Sequence, residues 1–383
     1  MLELDLLRGF AVAVMILVVS PGAWEYTYIQ MQHADWHGWH LADFVFPDFL
    51  FGVGMALGLT FDRAQESDGG GRLDWRKVTR RVALLIALGL FLNCLYVLAT
   101  YLGKPPIRPD DGLRIPGVLQ RIAICYLAAV LILHGLRGRP RVAPLLTVTG
   151  SILLAYWALM TFVPVPGFGA GQLDQEGNLA AWIDRAVFTP KHMWGVGSVE
   201  WAGPVVYDPE GLMSTLPALA NVLFGVVAVR IWNGRKPCRF EVLLGIGAGL
   251  LLAGHLLDPV FPINKKIWTS TFALVTSGTS FLALLAATAW LRSGPAKHLA
   301  RPLIILGQNA IIAFALSIVV SVAASIPLDL GGDPLTAQQL GMWVAQGLMP
   351  DPYLASLLCA FTVLASIFLA VWLLHRRGIM IRL

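Results

Sequence analysis

Charge is what this chain has least of. Lysine, arginine, aspartate and glutamate make up 13% of its 383 residues, while 57% are hydrophobic. A soluble domain carries about 25% charged residues, and a globule with half that share would leave large apolar patches open to water. An ordinary soluble protein is excluded, and the mean hydropathy of +0.69 points to a bilayer. Cysteine is scarce too. Cys94, Cys125, Cys238 and Cys359 are scattered, three of them inside apolar runs, which excludes a disulfide framework or a paired metal knuckle and leaves small packing residues. No internal repeat is visible, so an inverted-repeat transporter gains no support. The net charge of +5 implies no nucleic-acid partner, because its sense lies in where the cations fall along the chain. Glu3 and Asp5 precede the first apolar run and no small-residue cleavage site follows, so a retained first helix is expected rather than a signal peptide.

What is present is a series of apolar runs long enough to cross about 30 Å of hydrocarbon. They fall near 6–24, 44–61, 82–102, 117–136, 143–164, 212–232, 241–257, 267–291, 302–325 and 353–374. The segments joining them alternate in charge. With the N-terminus in the cytoplasm, 20 of the 28 Lys and Arg collect on that side, so the positive-inside rule places both termini there. The expectation is an all-α, polytopic membrane helix bundle of about ten transmembrane helices, one domain over 1–383, with long outer loops at 165–211 and 326–352. The first loop shows a short amphipathic stretch around Leu179–Val187, and Trp182, Trp194 and Trp201 predict that it packs. The second contains no Lys or Arg.

The most unusual stretch holds His33, His37 and His40 with Asp35, Asp43 and Asp48 at the outer mouth of the second helix. Two readings compete. On a helix, the i, i+4, i+7 spacing would gather three imidazoles as metal ligands, but Gly38 and large aromatics interrupt it. Otherwise one histidine is catalytic, since imidazole titrates near neutrality and can take a proton from an amine, with Asp43 or Asp48 orienting the ring. Polar residues inside apolar runs are costly and mark functional paths by default. Here they are Asp5, Arg8, Asn93, Arg114, Arg121, Asn264, Lys265, Thr269 and Asn309.

Six strings in order carry a resemblance. They are Leu4-Asp5-Leu6-Leu7-Arg8-Gly9; His33-Ala34-Asp35-Trp36-His37-Gly38 with Asp43-Phe44-Val45-Phe46-Pro47; Arg114 to Arg121; Tyr207-Asp208-Pro209-Glu210-Gly211; Pro262 to Ser270; and Gly307-Gln308-Asn309-Ala310. Through nearly its whole length the chain resembles the heparan-α-glucosaminide N-acetyltransferase family and its bacterial members. The resemblance implies a homodimer in the bacterial inner membrane that moves acetyl from cytosolic acetyl-CoA to a glucosamine-type amine on the periplasmic side, without a metal. It implies His33 as the active residue. The family usually has Asn where this chain has Ser20, and a hydroxyl there is expected to replace the amide as donor. The lysosomal enzyme's lumenal extension is not in the sequence, so the expected acceptor is a small amino sugar or short oligosaccharide rather than heparan sulfate.

On that scheme His33, Asp43 and Ser20 are catalytic. Phosphates of CoA cannot enter hydrocarbon unaided, so Arg8, Asp5, Arg80, Arg81 and Asn309 would meet them at the inner end, arginine pairing two oxygens at once. Asn93, Arg121, Asn264, Lys265 and Thr269 would line the path and supply oxyanion donors. Trp36, Arg114, Trp194, Trp201, Asp208 and Glu210 would hold the sugar, the two carboxylates binding its amine. The alternatives are an amino-sugar or N-acetylglucosamine transporter, which needs no acetyl-CoA, and an O-acyltransferase acting on an envelope glycan.

Overall fold

In the computed structural model, described for residues 1–67, 74–104, 112–136, 142–200, 203–234, 239–329 and 334–379, nearly all regular structure is helical. The long helices are α1 (Leu2–Val19), α2 (Val45–Ser67), α3 (Trp75–Tyr101), α4 (Val118–Gly135) and α5 (Val142–Phe162). A short α6 (Leu179–Phe188) precedes α7 (Thr215–Asn233), α8 (Arg239–Leu256) and α9 (Ser270–Arg292). The chain ends with α10 (Arg301–Gln308), α11 (Ala310–Ala324), α12 (Ala337–Leu348) and α13 (Pro352–Arg376). Strands Pro327–Leu328 and Leu335–Thr336 form a two-stranded antiparallel hairpin before α12.

Eight of these helices are long and apolar enough to cross a membrane, nine if α10 and α11 count as one span bent by 76°. The expected run 302–325 is therefore broken, at Asn309. Helix α1, expected as the first of ten crossings, is not among them: its 18 residues carry Glu3, Asp5 and Arg8 in the first half. The protein is an all-α, multi-pass membrane bundle.

Helix α7 is the axis. Almost its whole surface is buried, as a helix apolar all round requires, and α2, α4, α5 and α9 surround it. Helices α2 and α7 approach so closely that a Cβ on Gly54 would strike the Val222 carbonyl, and one on Gly225 the Phe51 carbonyl. Gly9 and Gly307 meet in the same way where α1 crosses α10. Small residues let helices pack in lipid, where no hydrophobic force drives them together. Outward faces of α3, α5, α8 and α13 carry Phe91, Leu154, Leu252 and Leu369, all exposed, which is what contact with acyl chains allows.

Side-chain caps fix several helix starts. Thr269 accepts from Phe272 N at the head of α9, Asn178 from Ala181 N at α6, and Asp351 from Tyr353 N and Leu354 N at α13. Each satisfies an otherwise orphaned amide. The segment after α1 is also fastened to α12 and α13. Gly22 N donates to Ser356 O, Ala23 N to Ser356 Oγ at 3.1 Å, and Gln338 Nε2 to Pro21 O at 2.8 Å.

Candidate active site

The segment between α1 and α2 is not a helix over 33–40, so the geometry for a three-histidine metal face does not form. The three imidazoles go to separate partners: His40 Nδ1 lies 3.1 Å from Gln32 O, and His37 Nδ1 lies 3.4 Å from Asn264 Nδ2. Gly38 carries the turn. Its φ of +91° suits glycine, and its amide donates to Ile263 O at 2.7 Å, docking this segment on the 258–269 loop.

Asp43 is fully buried and organises the segment. Its Oδ2 accepts from Ala34 N at 3.1 Å and His40 N at 2.8 Å, while Oδ1 lies 2.8 Å from His33 Nδ1. A carboxylate only accepts, so the proton is on Nδ1 and Nε2 carries the lone pair. Lys265 Nζ stands against both ring nitrogens, 2.8 Å from Nδ1 and 3.0 Å from Nε2, and 3.4 Å from Asp43 Oδ1. Asp48, the other aspartate weighed for orienting the ring, is one turn into α2 and bonds Ser280 Oγ instead.

Electrostatics follow from this packing. Burial and the Lys265 ammonium press the His33 pKa down to about 4, against the opposing pull of Asp43. The imidazole is therefore neutral at pH 7, although 38% of its side-chain surface stays open at the mouth. Burial also lowers Lys265, while burial and the Lys265 charge bring Lys266 to about 8.

A cavity of about 200 Å³ ends at this group. Its polar head is His33, Lys265 and Glu210, and its shaft is apolar, lined by Ala11, Val12, Phe49 and Ile311 among others. From Val19 to Ala11 it follows α1 for roughly 12 Å, and its far end comes within a turn of Arg8 and within two residues of Asn309. Asn309 is 1% exposed, and Arg8 Nη2 donates to Gly52 O at 3.3 Å. Helix α3 repeats the polarity: Arg80 is exposed and Arg81 lies 4.5 Å from the Tyr126 ring centre near its start. Asn93, about 20 Å further along, meets the segment that precedes α4. Asp5 sits with Arg8 near the start of α1, where its carbonyl faces Gly307.

Several expected ligands are engaged elsewhere. Asp208 takes Arg114 Nε at 2.9 Å and Nη2 at 2.6 Å, plus the amides of Trp194 and Glu210. Its side chain is wholly buried, so it is a structural partner of Arg114 and cannot also seat an amine. Glu210 pairs with Arg114 as well but borders the cavity, and Arg114 holds its pKa below the ordinary value against burial. Asn93 Nδ2 gives both protons to carbonyls, those of Arg114 at 2.7 Å and Pro116 at 3.1 Å. Arg121 is buried in bonds to Gly211 O and Ser214 Oγ and lies 5.0 Å from the Trp268 ring. These two residues brace the loops and do not line the cavity. Asn264 and Thr269 shape the turn that presents Lys265: Asn264 Oδ1 accepts from Ile267 N, and Thr269 Oγ1 from Asn264 N at 2.9 Å.

Ser20 is buried, with no hydrogen-bond partner for its Oγ among the described residues, and it faces a neighbouring groove rather than the cavity of His33. Trp36 donates Nε1 to Leu173 O at 2.8 Å and meets Tyr207 edge-on. Trp194 lies 5.0 Å from Lys266 Nζ. Trp201 falls outside the described residues. The sequence reading missed Asn221, a fully buried amide that bonds Thr276 and Ser277 and accepts from Trp268 Nε1. A lone amide in an apolar run was its signal. It also missed Asp184, which accepts from Leu212 N, and whose pKa burial raises to about 7.

Residues 1–171 match the family model described as Heparan-alpha-glucosaminide N-acetyltransferase, catalytic. The human Heparan-alpha-glucosaminide N-acetyltransferase is 28% identical over 330 residues, 74% of this chain and 47% of that protein. The mouse protein of the same name is 28% identical over 322 residues, 73% of this chain and 48% of its own length. The chain thus spans about half the length of these curated relatives. His33, Asp43, Arg114 and Arg121 lie inside the matched stretch, whereas Glu210 and Lys265 lie beyond it. Over residues 1–171, and at 28% identity over about three quarters of its length, the chain is similar to heparan-alpha-glucosaminide N-acetyltransferases, and the His33–Asp43 pair lies within the matched stretch.

Proposed function

We propose that this protein is a transmembrane N-acetyltransferase that passes acetyl from cytosolic acetyl-CoA to the amine of a glucosamine-type sugar at the opposite, periplasmic face. The observation that carries the reading is the His33–Asp43 pair at the head of an apolar shaft whose other end approaches Arg8 and Asn309. A thin arm bearing a thioester suits such a shaft, and its phosphates suit a cationic inner rim. The names of the relatives support the acceptor class. Both termini in the cytoplasm of a bacterial inner membrane, and a homodimer, belong to the same proposal.

The chemistry asked of the side chains is modest. Nδ1–H of His33 is held by Asp43, so Nε2 faces the reacting amine. As the amine nitrogen bonds to the thioester carbonyl carbon, its proton becomes acidic and passes to Nε2. The C–S bond then breaks, and the imidazolium returns the proton to the departing thiolate. Proton transfer of this kind contributes about 10²–10⁴-fold. The Lys265 ammonium, within reach of the same point, stabilises the oxyanion, and Glu210 attracts the sugar amine.

The test is mass spectrometry of products from purified protein given acetyl-CoA and glucosamine, for the parent and His33→Ala. Acetylated sugar is expected from the parent alone, with CoA binding retained in the variant. Transfer by His33→Ala would remove His33 as catalyst. A parent that carries glucosamine across vesicles without consuming acetyl-CoA would be a transporter.

A further inference from the structure

Beside the catalytic cavity lies a larger space that the transfer scheme leaves unused. A groove of about 770 Å³ runs between the end of α1, α3, α11, α12 and α13. Its walls are mostly aliphatic, Ile318, Val344, Leu348 and Val363 among them, with Lys104 and Tyr96 on the α3 side. A smaller space of about 310 Å³ lies between the two. It shares Val19 and Trp24 with the groove, and Val18, Val19 and His33 with the catalytic cavity. The groove is thus continuous in its walls with the site of His33.

Its position in the bundle indicates what fills it. Helix α12 has 12 residues, about 18 Å, far too short to cross about 30 Å of hydrocarbon. Met342 and Ala345 are buried against α13, while Trp343 is 75% and Leu348 71% exposed. A short helix with one apolar face outward lies along a membrane interface. The groove beneath it therefore opens at lipid level, where the available apolar matter is acyl chain. Ser20, Ser321, Ser325, Gln338 and Thr362 also line it, but most of its surface is apolar.

We propose that the acceptor is membrane-borne: an amino sugar joined through a phosphate to a lipid, whose chain lies in the α11–α13 groove while the amine reaches His33. Lys104 supplies the cation for the anionic link. The proposal rests on the N-acetyl transfer reading and deepens it by naming the acceptor class. The bond changes are the same, with the nitrogen of the lipid-linked sugar taking the acetyl group and the thiol leaving with the proton.

Gly341 on α12 gives a clean perturbation. A Cβ there meets only Cys359 Sγ, at 3.9 Å, so Gly341→Trp grows into the groove without touching the catalytic residues. Protein in nanodiscs would receive acetyl-CoA with either free glucosamine or a glucosaminyl phospholipid carrying a diazirine in its tail. The variant should keep its rate on the free sugar, which also reports folding, and lose about tenfold or more on the lipid-linked one, since remote binding contributes to the reacting centre. Photolabel should map to 337–348 and 352–376 in the parent and vanish in the variant. Equal rates of parent and variant on the lipid-linked sugar would overturn the proposal. So would label unaffected by Gly341→Trp, or a crosslink joining two copies of the chain through this groove. A parent inactive on both acceptors would instead sink the transferase reading beneath it. Should Gly341→Trp fail on the free sugar, Val344→Trp from the same wall replaces it.

Discussion

Removing the Lys265 charge offers the sharpest test of the site. Its ammonium lies about 3 Å from the His33 ring, where two unit charges at an effective dielectric of about 20 interact by roughly 5 kcal/mol. The open third of the ring lets solvent weaken that figure. The sign is unambiguous: after burial, the lysine is the next cause pressing the His33 pKa to about 4, so Lys265→Met must raise it, while burial and Lys266 still oppose Asp43. At pH 5.5 an imidazole of pKa about 4 is almost wholly neutral and competent as a base. One whose pKa has risen begins to protonate at a higher pH and loses more of its neutral form at 5.5. The parent should therefore lose little activity to His33 titration between pH 7.5 and 5.5, whereas Lys265→Met should lose more over the same interval, beyond any pH-independent loss from removing the ammonium. The assay follows acetyl-CoA consumption with glucosamine at each pH and takes the ratio of variant to parent, which cancels the acceptor amine's own titration. A ratio constant from pH 7.5 to 5.5 would refute the assigned contact between Lys265 and the catalytic ring.

Other expectations concern the frame. Asp43→Asn should lower turnover by about 10²-fold or more, because the Nδ1 proton loses its carboxylate, with a fall in melting temperature from the weakened bonds to Ala34 N and His40 N; an unchanged rate constant would contradict it. Arg114→Met leaves the buried Asp208 and Glu210 without their cation and should cost about 3–5 kcal/mol, read as lost thermal stability in detergent, with partial recovery on adding Asp208→Asn. Gly54→Ala should destabilise by about 1–3 kcal/mol through overpacking against the Val222 carbonyl, seen by the same melting measurement, while Gly245→Ala on α8, where a Cβ meets nothing, should not.

The residue strings located much of the site but not its pairings. His33 and Asp43 stood out because titratable groups crowd a short segment between apolar runs. Choosing between Asp43 and Asp48 required the backbone: five residues along a helix turn the side chain by about 140°, and Asp43 precedes the helix in a tight turn that aims it inward. The Arg114 pairing with Asp208 spans 94 residues, and no local pattern encodes such a contact. Asp208 therefore read as a free acid when it is a buried counter-ion. The number of spans was blurred by Asn309, where an apolar run continuous in sequence bends by 76°. Amphipathicity marked α6 correctly, since its period is local.

The bonds from Gly22, Ala23 and Gln338 clamp the segment after α1 to α12 and α13. That segment gains these contacts only once α12 and α13 stand beside it. A protein from which α12 and α13 had been removed would hold His33 and Asp43 yet have an open flank beside them.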